Sequence, residues 1–219
     1  MSIEEGSETI RRASASEVCR IVVRFSGASA PVYGIRTLEL LGRIEGLETH
    51  LVCSHAAETT IKLETGRSLR EVHDLADIVH QPDDFAAAIS SGSFSTKGMI
   101  VAPCSMSTLA GIAVGLTKDL LTRTADVTLK ERRPLVLMVR ESPLHLGHLR
   151  NMVRVTEMGG VIAPPIPSFY HKPANLDEMI DYSLGRALDG FGLDMPWMNP
   201  VSYTHLRAHE TEADLVCRL

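Results

Sequence analysis

Apolar positions along this chain come in short blocks, and the blocks alternate between a strand rhythm and a helix rhythm. Arg20 to Phe25 (RIVVRF) is apolar and β-branched and stops at Ser-Gly-Ala-Ser-Ala-Pro. From about Val32 to Ile44, Ile35, Leu38, Leu41 and Gly42 fall along one side of a helix. Strand, tight loop and helix are what such a pattern predicts. The cycle repeats at Thr49–Cys53, after which Ser54 can cap a helix through about Leu63. Residues 65–97 are polar and less regular, with Ser-Ser-Gly-Ser-Phe-Ser from Ser90 as their most flexible part. A buried strand follows at Gly98–Ala102, and Pro103–Ser107 opens the next helix. A second helical stretch covers about Asp119–Glu131, and Leu135–Val139 is another strand. A helix near His145–Met158, a short strand at Val161–Ala163 and an extended Pro-rich loop lead to an amphipathic helix over Leu176–Phe191.

Strands alternating with helices predict a mostly parallel sheet covered on both faces. The expected fold is therefore α/β: a single-domain three-layer α/β/α sandwich with a Rossmann- or flavodoxin-like sheet. Residues 18–197 would form this domain, after a flexible N-terminal extension at 1–17. Residues 198–219 carry no strand or core pattern and read as an atypical tail, set aside from functional reasoning.

Composition narrows the classes. With 44% hydrophobic and 22% charged residues in 219, the chain can bury a sizeable core and is neither disordered nor a membrane protein. A net charge of −5 argues against a broad nucleic-acid surface, so any anion must be met by local basic residues. Cys19, Cys53, Cys104 and Cys217 lie far apart, which supports neither a disulfide framework nor a zinc site and suits a reducing compartment. Residues 1–17 resemble neither a secretory signal nor a transit peptide, and no apolar run is long enough for a membrane span. The expected location is the cytoplasm.

In open α/β sheets, ligands sit outside the carboxyl ends of the strands. That rule selects Ser26–Pro31, Cys53–His55, Pro103–Thr108 and Arg140–Ser142, each just after a predicted strand. Hydroxyls and backbone N–H groups at helix starts can cradle a phosphate or a flavin edge. Taken singly, Ser29, Ser54 and Ser105 read as helix caps; three of them at one sheet edge favour a ligand cradle. The loop Gly27-Ala-Ser-Ala-Pro is not GxGxxG, and no GxxxxGK[ST] occurs. The short loops slightly favour a cofactor with one phosphate and a broad ring.

A basic stretch, Lys130-Glu-Arg-Arg, is the second signal, and for Arg132 and Arg133 a solvated helix end is the favoured role. Arg140 and Glu141 differ, because they follow a buried strand at the active edge: an Arg there can grip phosphate and a carboxylate can move a proton. Tyr170 and Arg186 could add phosphate donors. Asp83-Asp84 lacks the third Asp of a DDxxD motif, so no Mg²⁺-bridged pyrophosphate site is indicated. His145 and His148 lack a carboxylate partner for a metal, and Cys104 reads as a buried structural thiol.

The stretches SGAS (Ser26–Ser29), ETHLVCSHAA (Glu48–Ala57), AAISSGSF (Ala87–Phe94) and APCSMSTLAGIA (Ala102–Ala113) resemble the flavin prenyltransferase family of the UbiX type, formerly described as aromatic acid decarboxylases. LLTRTADVTLKERRPLVLMVRESPLHLGHLRNM (Leu120–Met152) and PPIPSFYHKP (Pro164–Pro173) continue the resemblance, which spans roughly residues 19–195. It implies transfer of the dimethylallyl group of dimethylallyl phosphate to N5 and C6 of reduced FMN, without a metal. The product, prenylated FMN, would serve a UbiD-type decarboxylase, in ubiquinone biosynthesis or aromatic-acid breakdown. The resemblance assigns Gly27, Ala28, Ser29, Ser54, Ser105, Met106, Ser107, Thr108 and Arg140 to FMN. It assigns Tyr170, Arg186 and Lys130 to the donor, and a catalytic set of Glu141, Lys130 and Ser29. It also implies a homo-oligomer, commonly a dodecamer, with the active site between subunits, and neither nucleic acid nor membrane as partner.

Three departures from the family pattern stand out. Ala30-Pro31 follows Ser29 where relatives read Gly-Ala, so a positive φ at position 30 would cost about 1 kcal/mol or more. Ser107 stands where many relatives carry Lys, and the family's C-terminal segment is cut short or replaced, with Trp197 as a remnant. Two alternatives remain at this level: a non-catalytic FMN-binding or delivery subunit, and an FMN-dependent cysteine decarboxylase. The loop Pro103-Cys-Ser-Met-Ser-Thr has no Asn of the kind the latter uses.

Overall fold

A computed structural model describes residues 18–195. The expectations placed on 1–17, Trp197, Cys217 and the tail fall outside them. The chain divides into two compact units, one ending at Pro165 and the other beginning at Ile166.

The first unit is a six-stranded parallel sheet in the order β3-β2-β1-β4-β5-β6. The strands are β1 (Cys19–Phe25), β2 (Leu47–Cys53), β3 (Ile78–His80), β4 (Met99–Cys104), β5 (Leu135–Val139) and β6 (Val161–Ile162). Between them run α1 (Val32–Leu41), α2 (His55–Thr65), α3 (Leu69–His73), α4 (Met106–Ala113), α5 (Leu120–Lys130) and α6 (Leu146–Glu157). From β1 the chain first moves outward through β2 to β3, then returns and moves the other way through β4 and β5 to β6. Right-handed crossovers then put α1–α3 on one face and α4–α6 on the other.

The side chains agree with that division. Val22, Met99, Val101, Leu135, Leu137 and Val139 point to the face where they meet Leu109 and Ile112 of α4, Leu120 and Ala125 of α5, and Val155 of α6. The alternate residues Ile21, Val23, Phe25, Leu51 and Ile100 are buried on the opposite face. There α1 approaches so closely that a Cβ on Gly34 would lie 2.2 Å from the Ala102 carbonyl and 2.5 Å from the Phe25 ring. Central strands buried on both faces read as unbroken apolar runs, which is why β1, β4 and β5 are plain in the sequence.

Three buried strand residues break the apolar rule: Thr49, whose hydroxyl donates to Asp77 at 2.8 Å, His50 and Arg24. His50 is buried but satisfied: its ring lies 2.8 Å from His80 Nε2 and 2.9 Å from Glu48 Oε1, and Glu48 in turn pairs with Arg20 at 2.7 Å. Arg24 is fully buried, and its Nε, Nη1 and Nη2 have no hydrogen-bond partner among the described residues.

The structure adds α3 and β3 inside the polar stretch 65–97. Only Val72 of α3 is buried, and β3 is three residues at the sheet edge, so neither imprints a hydrophobic rhythm. Ser68 and Glu71 form a capping box that starts α3.

The second unit contains α7 (Leu176–Leu188), capped by Asn175, whose side chain accepts from the Glu178 N–H. Before it lies a single 3₁₀ turn, Phe169–His171, and another 3₁₀ turn, Asp189–Phe191, follows. Among the described residues no helix is long and apolar enough to cross a membrane.

Candidate functional site

The order of crossovers reverses between β1 and β4, and that point is where open α/β sheets hold their ligands. Backbone and hydroxyl bonds tie the loops there into one row. Ser54 N–H donates to the Phe25 carbonyl at 3.0 Å, joining the end of β2 to the end of β1. The Ser26 hydroxyl donates to the Pro103 carbonyl at 2.7 Å and accepts from the Ser105 N–H at 2.8 Å, joining β1 to β4. Arg140 N–H donates to the Cys104 carbonyl at 3.0 Å, which adds the end of β5. Pro103 sits where the β4 ladder shifts register, between Val101 and Cys104. It has no N–H to pair, and its carbonyl is free for Ser26.

The four segments selected from the sequence therefore meet at one edge. Ser54 and Ser105 are true caps, their hydroxyls accepting from the N–H groups of Ala57 and Thr108 at 3.2 Å each. The Ser105 hydroxyl also reaches the Thr108 hydroxyl at 3.1 Å. Ser29 is not a cap, because α1 starts from Pro31 without a side-chain cap bond. Ala30 has φ 70°, the left-handed conformation the sequence reading considered for it. Pro31, at φ −58°, fits the helix start without conflict. A Cβ on Gly27 would lie 2.5 Å from Ala56 Cβ, so only glycine lets this loop lie against the start of α2.

Glu64 is the residue that the sequence reading missed. Its Oε2 accepts from the Ala30 N–H at 2.7 Å and from the Ser29 hydroxyl at 3.1 Å. The donors of the first loop thus already converge on a carboxylate, which is the behaviour expected of an anion cradle. In the sequence Glu64 reads as one more charged residue on the solvent face of α2.

Arg140 and Glu141 lie exposed at the same edge, with the Glu141 carboxylate accepting from the Ser142 N–H at 3.1 Å. His145 caps α6, its Nδ1 accepting from the Gly147 N–H at 3.0 Å, and its ring stacks on His148 with centroids 3.5 Å apart. Cys104 and Cys53 are buried, and burial pushes both thiols up to about 12, so neither is a nucleophile at neutral pH. Among the described residues no group of three or more His, Cys, Asp or Glu side chains could hold a metal ion.

Lys130 stands apart from this edge. α5 begins at the carboxyl edge, where the Leu120 N–H bonds the Pro82 carbonyl, and its 11 residues run toward the opposite edge. That is a travel of about 16 Å. Lys130 ends the helix paired with Glu131, beside a cavity of about 270 Å³ lined also by Gly111, Leu129 and Met158. Within one chain, then, the structure brings Ser29 and Glu141 to one edge and Lys130 to the other. Arg133 beside it is no solvated helix end: its guanidinium donates to the carbonyls of Phe94 and Gly92 at 2.8 Å each, clamping the loop at 90–94. In the second unit, the Tyr170 and Tyr182 hydroxyls are bonded to each other, and Arg186 reaches Asp189 at 3.4 Å.

FMN fits the donor set at the carboxyl edge. Hydroxyls at Ser29, Ser54, Ser105 and Thr108, an N–H at Ala30, and the Arg140 guanidinium suit one phosphate and a broad polar-edged ring.

A doubly wound α/β protein with a mononucleotide-type cradle at its switch point is the class this architecture defines. Residues 10–184 match the family described as Flavoprotein. The flavin prenyltransferase UbiX of Escherichia coli K12 is 56% identical over 177 residues, which cover 81% of this chain and 94% of that protein. A crystal structure of AnUbiX (PadA1) in complex with FMN and dimethylallyl pyrophosphate superposes with a TM-score of 0.80 at 53% identity, covering 83% of this chain and 96% of the other. A dodecameric FMN-dependent UbiX-like decarboxylase from Escherichia coli O157:H7 matches with a TM-score of 0.80 at 48% identity, covering 83% and 98%. The chain belongs to the UbiX flavin prenyltransferases, within the flavoprotein family.

Proposed function

We propose that this chain joins the dimethylallyl group of dimethylallyl phosphate to N5 and C6 of reduced FMN, and that the prenylated FMN is passed to a UbiD-type decarboxylase in the cytoplasm. The observation that carries this reading is the row of tied loops at the switch point, which gathers Ser29, Ser54, Ser105, Arg140 and Glu141 at one sheet edge. Gly27, Ala28, Ser29, Ser54, Ser105 to Thr108 and Arg140 would hold the FMN. When bound, reduced FMN supplies the electron-rich N5 and C6 that accept the dimethylallyl carbons. The donor's C–O bond breaks and phosphate leaves; Lys130, Tyr170 and Arg186 meet its charge in place of a metal. Ring closure adds a proton to the donor's alkene and removes one from C6, so none is released overall, and Glu141 would carry protons in that exchange and around phosphate departure.

Lys130 can share a site with Ser29 and Glu141 only if separate copies of the chain contribute them, so the active form is a homo-oligomer. The surface supports this. Leu146, Leu149 and Val153 of α6 follow one another at helical spacing and are 58%, 44% and 55% exposed. A second copy would cover such a stripe. In this reading the assembly is the dodecamer seen in the O157:H7 relative.

The test is anaerobic incubation with reduced FMN and either dimethylallyl phosphate or the pyrophosphate, followed by mass spectrometry of the extracted flavin. A gain of one C5H8 unit is expected, with the monophosphate preferred. Bound but unmodified flavin with both donors would leave a carrier and refute the transferase.

A further inference from the structure

The second unit carries an aromatic cluster of which the reaction above uses only Tyr170. The Tyr170 and Tyr182 hydroxyls are hydrogen-bonded, with ring centroids 5.9 Å apart and planes at 87°. His171 fills the wedge, its ring centroid 4.2 Å from that of Tyr170 and 4.0 Å from that of Tyr182. Tyr170 sits on the 3₁₀ turn Phe169–His171 and is 70% exposed. Left alone, a ring so exposed would exchange rotamers freely. Tyr182 stands on α7, and Arg186 follows it by one helical turn, on the same face. The Tyr182 hydroxyl therefore fastens the Tyr170 oxygen over the face that carries Arg186.

We propose that Tyr182 is a positioning residue for the donor phosphate: its O–H donates to the Tyr170 oxygen and turns the Tyr170 O–H outward, beside Arg186, as a donor to the phosphate. This rests on the reading of Tyr170 and Arg186 as donor-binding residues. Either hydroxyl could donate in this pair; with Tyr170 as the acceptor, its own O–H is left free for the phosphate. Burial first, and then the bond to Tyr170, push the Tyr182 phenol up to about 12, so it remains a protonated donor at neutral pH. Tyr182 and Tyr170 then act in series, the bond between them polarising the Tyr170 O–H. The series ends on an O–H aimed at an anion. Arg186 holds Asp189 at a loose 3.4 Å, a contact it can give up for the same ligand.

A double-mutant cycle on the full chain tests this: wild type, Tyr170→Phe, Tyr182→Phe and the double variant. Each is loaded with oxidised FMN, so that no turnover occurs, and titrated calorimetrically with dimethylallyl phosphate. Affinity should fall about tenfold for Tyr170→Phe and about threefold to fivefold for Tyr182→Phe. The double variant should fall only about tenfold, because Tyr182 acts through Tyr170. FMN affinity and assembly size should not change in any of them. A double variant weakened by the product of the single effects, or Tyr182→Phe binding like wild type while Tyr170→Phe is weakened, overturns the positioning role alone. Wild-type affinity in Tyr170→Phe overturns the assignment of Tyr170 itself, and the role of Tyr182 with it.

Discussion

Replacing Arg24 by methionine should make this protein more stable. The guanidinium lies fully buried on β1, and among the described residues none of its three nitrogens has a hydrogen-bond partner. Burial drags its pKa from the ordinary arginine value down to about 9, against an opposing pull from Asp119. At about 1.4 kcal/mol per tenfold change, that fall corresponds to about 5 kcal/mol of destabilisation at neutral pH. Methionine fills most of the same space without charge, and the small void it leaves would return about 1–2 kcal/mol of that. The expected net gain is about 3 kcal/mol, read as a higher midpoint in urea at fixed protein concentration. A pH series sharpens the test. The unfolded chain keeps the arginine proton well above the pH at which the folded chain loses it, about 9. Above that pH the unfolded state binds more protons, so wild-type stability rises with pH relative to the variant. The advantage of Arg24→Met should be complete below pH 9 and shrink above it. A variant no more stable than wild type at pH 7, or an advantage that does not shrink, would refute the argument that Arg24 is an uncompensated buried charge.

Ala30→Gly should raise stability by about 1 kcal/mol, because φ 70° strains any residue with a Cβ; an unchanged thermal midpoint would mean the loop relaxes elsewhere. Iodoacetamide at pH 8 should leave Cys53 and Cys104 unmodified in the folded protein, since burial holds both thiols near 12. Peptide mass mapping that finds either one alkylated at the rate of an exposed thiol would contradict that burial. Glu141→Gln should keep FMN but lose turnover by about a hundredfold or more; wild-type rates would remove Glu141 from the mechanism.

Most of the architecture is legible because central parallel strands are apolar on both faces. β5 is found with the limits observed, and β1 and β2 begin within two residues of them. What stays hidden is what lies exposed or depends on distant residues. β3 buries none of its three residues fully and so writes no pattern. The strand order depends on pairings between segments far apart in the chain, such as β1 with β4, which local rhythm cannot reveal. The loops of the site are legible because a strand end is a place, and the place selects Ser26–Pro31 and Arg140–Ser142. Glu64 is not, because its partners Ser29 and Ala30 are thirty-five and thirty-four residues earlier. Motif matching groups Lys130 with Glu141, while the run of α5 separates them within one chain.

That separation has a consequence for genetics. Chains dead by Lys130→Ala and chains dead by Glu141→Gln carry their defects at opposite edges of the same sheet. In mixed assemblies some active sites would draw Lys130 from one parent and Glu141 from the other, and so be intact. With equal amounts and random assembly, about a quarter of the sites would be restored. Two silent alleles, expressed together, would then complement each other.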